Sequence, residues 1–132
     1  MRSRLALAGL AVAITVPAAA GVAHAGRSAT PAAVATHHRL FAVVKADGTL
    51  VRSFPAAGVT STRAGNGRYT VTFPQNVSTC AWVATIGEGA LVTPVAGQIA
   101  VFGNGMNVLV DSSDSRGLLS DRAFHLVVIC PS

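Results

Sequence analysis

The chain has 132 residues, of which 51% are hydrophobic and 11% are charged, and its formal net charge is +5. This length allows one domain with a tail and excludes two complete hydrophobic cores. The apolar content excludes a disordered polyelectrolyte. Two cysteines alone cannot build a disulfide-dense mini-protein or a zinc module with four thiolate ligands.

The first 25 residues have the features of a secretory signal peptide. Arg2 and Arg4 form a positive start, residues 5–16 are apolar and uncharged, and Ala23-His24-Ala25 has the small-x-small pattern that signal peptidase cleaves. The alternative is a membrane anchor, but the apolar run is short against the roughly 20 residues that a spanning helix needs. We therefore expect cleavage after this site, an extracellular chain that begins at Gly26, and no membrane span in that chain.

The charges of the remaining chain are sparse and scattered. Without Arg2 and Arg4 the formal net charge falls from +5 to +3, and the other basic residues stand singly, with no aromatic side chains interleaved among them. A nucleic-acid surface needs lysine and arginine clustered on one face. We therefore expect solvated surface charges and no nucleic-acid partner.

The two cysteines, Cys80 and Cys130, both lie in the part expected to be exported. Only one pairing is possible, and an oxidising compartment favours a structural disulfide over the alternative of two free reactive thiols. Such a bridge closes a loop of about 50 residues and contributes up to roughly 4 kcal/mol in chain-entropy treatments. It would also tie the end of the chain to its middle.

Beyond an Ala/Ser/Thr/Pro-rich arm at 26–38, which we expect to be flexible, the chain is typical of β structure. Asp47-Gly48 between two apolar runs predicts a hairpin, and alternation in the fourth segment turns Tyr69, Val71 and Phe73 inward. Strands are predicted at 40–45, 49–54, 59–63, 68–73, 80–86, 98–102, 106–111 and 123–130.

Helical periodicity is absent outside the leader, so these segments predict a single all-β domain over residues 39–132. Seven or eight short strands indicate a small antiparallel β-sandwich or barrel with one disulfide. The last strand is nearly apolar on both faces, which predicts a central place in a sheet. Loops are predicted at 87–94 and 112–121, and Gly103-Asn104-Gly105 is predicted to join two strands.

Several of these segments together resemble a family of small, uncharacterised, secreted β-rich proteins from actinobacteria and other bacteria. The similar segments include Ala46-Asp47-Gly48-Thr49-Leu50, the Cys-Ala-aromatic-Val-Ala-Thr-Ile-Gly motif at 80–87 and the Phe-His-Leu-x-Val-x-Cys ending at 124–130. The resemblance covers residues 39–131. It implies secretion and a β-rich domain, and it implies no activity.

His125 is the side chain that most suggests catalysis, because it is the histidine inside a predicted strand. A hydrolytic triad would join it to Asp121 and Ser120, but no Gly-x-Ser-x-Gly segment exposes a nucleophile. Strand alternation places Val127 and Ile129 on the same side as His125. We expect a structural histidine that hydrogen-bonds a nearby group, with no nucleophile within reach.

The other polar groups form no convincing catalytic or metal-binding pattern. The 111–115 segment lacks the spacing of a calcium loop and predicts a polar turn, and His37-His38 is predicted to be solvated. Glu88 stands alone, whereas a glycosidase needs two carboxylates. We expect no catalytic residue, no metal ligand and no cofactor.

Two classes of function remain. One is a non-catalytic extracellular domain, with a binding or structural role, whose loops at 87–95 and 112–121 contact an extracellular ligand or protein. A secreted protease inhibitor or ligand carrier is a narrower form of it. The other is a small secreted hydrolase that uses His125. The sequence leaves the partner and the oligomeric state open.

Overall fold

The computed structural model describes residues 36–132, and the predicted signal peptide and residues 26–35 of the predicted arm lie outside this range. Within it the chain forms strands and loops without a helix. The strands are β1 (Arg39–Val44), β2 (Leu50–Phe54), β3 (Thr60–Gly65), β4 (Arg68–Thr72), β5 (Ala81–Ile86), β6 (Gln98–Asn104), β7 (Asn107–Ser113) and β8 (Phe124–Ile129).

Eight antiparallel strands form two four-stranded sheets, which confirms the predicted all-β class. Sheet 1 has the order β2-β1-β8-β5 and sheet 2 has the order β3-β4-β7-β6. Strand β8 lies between β1 and β5, as its two apolar faces predicted. Its pairing with β1 brings the last strand of the chain beside the first.

The core lies between the two sheets and follows the period-two pattern. Tyr69, Val71 and Phe73 are buried, as predicted, and the intervening Thr70 and Thr72 are only partly covered. The buried side chains of sheet 1 that share this core are Leu40, Ala42, Val44, Phe124, Leu126 and Val128. Tyr69 and Phe124 meet edge to face with ring centroids 5.1 Å apart, so an aromatic contact joins the sheets.

The strand directions gather four connections at one end of the domain. Odd-numbered strands end, and even-numbered strands begin, at the same end of the domain. We call it the loop end, and its connections are residues 45–49, 66–67, 87–97 and 114–123. The remaining connections, at 55–59, 73–80 and 105–106, lie at the opposite end. A domain of this kind presents its loops together on a rigid scaffold.

The predicted disulfide between Cys80 and Cys130 is present at the end opposite the loops. Their Cα atoms are 4.2 Å apart, because the two cysteines extend the ladder in which Ala81 pairs with Ile129. Neighbouring contacts also fasten the entry to the first strand: the Cys130 N–H donates to the His38 carbonyl at 2.8 Å. The last strand and the chain entering β1 are therefore held at one corner.

His37, which the sequence predicts to be solvated, is instead held against the domain by hydrogen bonds and a ring contact. Its N–H donates to Gln75 Oε1 at 2.8 Å, and Gln75 Nε2 donates back to its carbonyl at 2.7 Å. The His37 ring lies against Phe54 with centroids 4.9 Å apart. Residues 36–38 of the predicted arm thus contact the β domain.

Several predicted strand ends differ from the structure by one or two residues, and packing explains two of these differences. The turn between β6 and β7 is Gly105-Met106, whereas the predicted turn began at Gly103. Gly103 instead belongs to β6, where it lies against the Trp82 ring. The loop expected from Ser112 begins at Asp114, because β7 continues through Ser113. Ser112 is fully buried, and its hydroxyl donates to the Ser120 carbonyl at 2.8 Å, so a polar side chain is accommodated within the strand.

Candidate functional site

His125 lies on the outer face of sheet 1 and binds the loop that follows β5. Its Nε2 is 3.0 Å from the carbonyl oxygen of Glu88, and Gly87 passes close to the ring. Val127 and Ile129 share its side of β8, as predicted, and are half exposed. The hydrogen bond expected for His125 is present, its partner is a backbone carbonyl, and it anchors residues 87–88 to the sheet.

Asp121 belongs to a separate network that joins the turn after β3 to the segment before β8. Its carboxylate accepts hydrogen bonds from Arg63 Nε at 2.9 Å and the Gly67 N–H at 2.7 Å. The Tyr69 hydroxyl lies 3.3 Å away, donates to the Ala46 carbonyl at 2.8 Å and accepts the Arg122 N–H. This carboxylate therefore holds two loops together.

The charges and burial in this network shift the pKa values of Asp121 and Tyr69. The hydrogen bond from Arg63 holds the pKa of Asp121 below its ordinary value, and the partial burial of the carboxylate opposes that shift only in part. Burial raises the pKa of Tyr69, and the neighbouring Asp121 charge adds to the effect. At neutral pH Asp121 is therefore a charged acceptor for Arg63 and Gly67, and Tyr69 is a protonated phenol that donates to Ala46.

Ser120, Asp121 and His125 are not assembled into a triad. The Ser120 backbone carbonyl accepts from the Ser112 hydroxyl and its N–H donates to the Ser112 carbonyl. Within residues 36–132 no hydrogen bond joins any two of the three residues, and each is engaged with a different part of the fold. Each of the three residues therefore stabilises a separate loop or strand through its own hydrogen bonds.

The 111–115 segment divides between a strand and a turn. Asp111 lies in β7, whereas Asp114 accepts the N–H groups of Arg116 at 2.8 Å and Leu118 at 3.0 Å. The hydrogen bond from Leu118 contributes most to lowering the pKa of Asp114. The predicted polar turn is therefore present at 114–118. Across the part of the chain that the structure describes, no three potential metal-ligating side chains gather.

Three exposed apolar side chains of the loop end belong to the β5–β6 connection. Leu91 is fully exposed, at 107% of its reference area, and Val92 and Val95 are each about 60% exposed. This stretch has no charge between Glu88 and Asp111. Leu118 adds an exposed apolar side chain from the β7–β8 connection. Both loops that the sequence suggested for recognition thus place apolar groups in solvent.

A shallow cavity of about 500 Å³ opens beside this connection, where the β1–β2 turn faces residues 88–90. Lys45, Asp47 and Glu88 contribute charged groups to its wall, and Val51 contributes an apolar one. Arg52 reaches the Gly89 carbonyl at 3.4 Å from the same sheet. These contacts hold the start of the connection, so its exposed apolar part begins at Ala90.

An outer apolar row on sheet 1 was missed by the sequence analysis. The register aligns four side chains across all four strands, each between 37% and 58% exposed: Phe54, Phe41, Val127 and Val83. Their strands were predicted correctly, but the row exists only because β8 lies between β1 and β5. The order of the segments along the chain does not predict that β8 pairs with both β1 and β5.

No protein-family model, curated protein or solved structure matches this chain. In residues 36–132 no helix has the length and apolar character needed to cross a membrane.

Proposed function

We propose that this chain is a secreted bacterial protein whose β domain binds an extracellular ligand or protein without catalysing a reaction. The observation that carries the proposal is the fully exposed Leu91, flanked by exposed Val92 and Val95, at the end where the loops of both sheets gather. Apolar groups clustered in solvent are typical of an interaction surface. The engagement of His125 with a backbone carbonyl supports a structural role for that residue.

Secretion is supported by two independent features. The Arg2/Arg4 start, the apolar run and the Ala23–Ala25 site have the organisation of a cleaved leader. The Cys80–Cys130 disulfide fits an oxidising compartment. Bacterial origin rests on the resemblance described above. Amino-terminal sequencing of the released protein should start at Gly26, and a released protein that keeps residues 1–25 would contradict this part of the proposal.

The binding role is tested by capture with matched surface variants. Wild-type protein, Leu91→Ser/Val92→Ser and Phe102→Ser are immobilised and exposed to cell-envelope and culture fractions of the producing organism. Phe102 is the control, because it is 61% exposed on the outer face of sheet 2, away from the loop end. We expect a partner that wild type and Phe102→Ser retain and the loop variant loses. Equal capture by all three proteins would reject the loop end as the binding surface.

The exposed Leu91 also fits the narrower alternative of a protease inhibitor, which presents one apolar side chain to the specificity pocket of an enzyme. Arg52 and the His125–Glu88 contact hold the start of this loop, while the disulfide lies at the opposite end. Chymotrypsin, which prefers large apolar side chains, is the suitable test enzyme. Stoichiometric inhibition that Leu91→Ser abolishes would assign this role, and rapid cleavage after Leu91 would exclude it.

A further inference from the structure

Strand β5 is an edge strand of sheet 1, and half of its backbone groups face away from the sheet. The Gly87 N–H donates to the Ala123 carbonyl on the β8 side. Hydrogen-bonded positions alternate in an antiparallel ladder, so Val83 and Thr85 also bond to β8. The N–H and C=O groups of Ala84 and Ile86 therefore point to the free edge. No backbone hydrogen bond within residues 36–132 pairs them with another segment.

The free edge borders a cleft of about 390 Å³. One wall is residues 84–86 of β5, and the other is segment 94–97 with Ile99 of β6. Segment 94–97 has no regular structure, and in the described chain its backbone groups also take part in no backbone hydrogen bond. Both walls thus present backbone groups without a backbone partner, and the side chains that line the space are mostly apolar.

The cleft has a defined floor and mouth. The two edge strands approach at Trp82 and Gly103, where the ring lies directly against the glycine. Toward the loop end, Gly97 lies close to the Ile86 side chain and the Ser113 carbonyl. Close contacts therefore limit the cleft at both ends.

β5 and β6, the two edge strands that border the cleft, lack the features that protect the other two edges of this fold. β2 contains Arg52, a bulge and a following Pro55, and β3 contains Arg63 and a bulge. β5 has no charge, proline or bulge over its six residues. An edge without such features readily pairs with another strand.

We propose that this cleft binds an extended peptide segment of another protein by strand addition to β5. The peptide backbone would pair with Ala84 and Ile86, and its alternate side chains would continue the outer apolar row beyond Val83. The chemistry selects a chain with small or β-branched apolar side chains at every second position. The inference rests on the proposed binding function and names its class of partner.

A second copy of this chain fits the cleft less well than a single peptide does. Its own β5 edge is flanked by segment 94–97 and β6, so two copies meeting edge to edge would bring four chain segments into a space of about 390 Å³. A lone extended strand has no such flanks. Dimerisation is therefore treated as a competing outcome of the test.

Amide hydrogen exchange tests the contact directly on the ¹⁵N-labelled secreted protein. The probe is a peptide of alternating valine and threonine with a lysine at each end, and its control has prolines at the two central positions. We expect saturating probe to slow exchange at Ala84 and Ile86 by about tenfold or more, with Val83 and Thr85 already slow in the free protein. The proline peptide should change the rates less than about twofold.

Three results would overturn the inference. Unchanged exchange at Ala84 and Ile86 excludes strand addition, and equal protection by the proline peptide excludes backbone pairing. Protection that rises with protein concentration in the absence of peptide assigns the edge to a second copy.

Ala84→Pro gives a variant test, because proline removes an N–H that faces the cleft and leaves the ladder to β8 intact. Ala57→Pro is the matched control, since Ala57 is exposed in the β2–β3 connection at the other end. Ala84→Pro should weaken probe binding at least tenfold, as an order-of-magnitude expectation for a blocked edge, and Ala57→Pro should not. Should Ala84→Pro fail to fold, wild-type exchange decides.

The capture experiment separates the two proposals. Partner capture that depends on Leu91 but is unaffected by Ala84→Pro would reject strand addition and leave the proposed binding function standing. Equal capture by wild type and the Leu91→Ser/Val92→Ser variant would reject the loop end as the binding surface, and capture of no partner by any of the proteins would reject the proposed binding function itself.

Discussion

Replacing Gly103 by alanine tests the contact that closes the two sheets below the cleft. A Cβ atom at this position would overlap the Trp82 ring, which is also held by a 3.0 Å hydrogen bond from its Nε1 to the Val77 carbonyl. Overpacking typically costs about 1–3 kcal/mol, and loss of the indole bond adds about 1 kcal/mol. We expect the free energy of unfolding to fall by about 2–4 kcal/mol and Tm by roughly 10–20 °C.

Trp82 reports this change itself, since it is the sole tryptophan of the chain. Thermal unfolding followed by circular dichroism gives Tm, and a red-shifted emission maximum would show that the ring has moved toward solvent. Gly65→Ala is the matched control, because no atom lies within 4 Å of its added Cβ; its cost should stay below about 1 kcal/mol, the range of a glycine-to-alanine change without a clash.

The decisive comparison places Gly103→Ala in a Trp82→Leu background, where the smaller side chain removes the overlap. The added cost of the alanine should there fall below about 1 kcal/mol, so the two changes should be strongly non-additive. An unchanged cost in that background, or a Gly103→Ala protein as stable as wild type, would refute the proposed contact.

Three further predictions concern the disulfide, Asp121 and His125. Cys80→Ser should lower Tm by several degrees or more and leave the far-ultraviolet β spectrum intact, whereas two free thiols, found by mass spectrometry in the protein isolated from its native source, would contradict the bridge. Because the folded pKa of Asp121 is depressed, its stabilisation is present above its unfolded pKa and is lost as pH falls through the folded value; denaturant titrations from neutral pH to acid should show a flatter decline for Asp121→Asn. His125→Gln should cost about 1 kcal/mol through a poorly replaced bond to Glu88, and binding by the loop end should persist.

Local chemistry was enough to predict the strands and their inward faces. Alternation at Tyr69, Val71 and Phe73 reports burial directly, because one face of a two-layer sandwich must be apolar. Asp47-Gly48 predicted its hairpin for a similarly local reason, since Gly48 has a φ of 89° that a turn of this kind requires. The disulfide followed from counting, as two cysteines in a chain predicted to be exported allow one intramolecular pairing.

Features that depend on distant partners were not predictable. Gly103 was read as part of a turn because its need for space comes from Trp82, which is far from it in sequence. Ser112 was read as the start of a loop because its burial depends on the Ser120 carbonyl. The cleft beside β5 requires both the sheet order and the course of segment 94–97, and neither is encoded in a local pattern.

The aspartates of the loop end mainly stabilise turns by accepting backbone hydrogen bonds. Asp47 accepts the Thr49 N–H at 2.9 Å, Asp114 accepts two backbone N–H groups of its own turn, and Asp121 accepts the Gly67 N–H. Asp47 and Asp114 each stabilise their own turn, and Asp121 links two connections. The 90–96 stretch of the β5–β6 connection has no carboxylate of its own, and it is the part that exposes Leu91 and borders the free edge of β5. This arrangement favours contact through the apolar side chains and backbone of the 90–96 stretch, while the acidic groups hold the neighbouring connections in place.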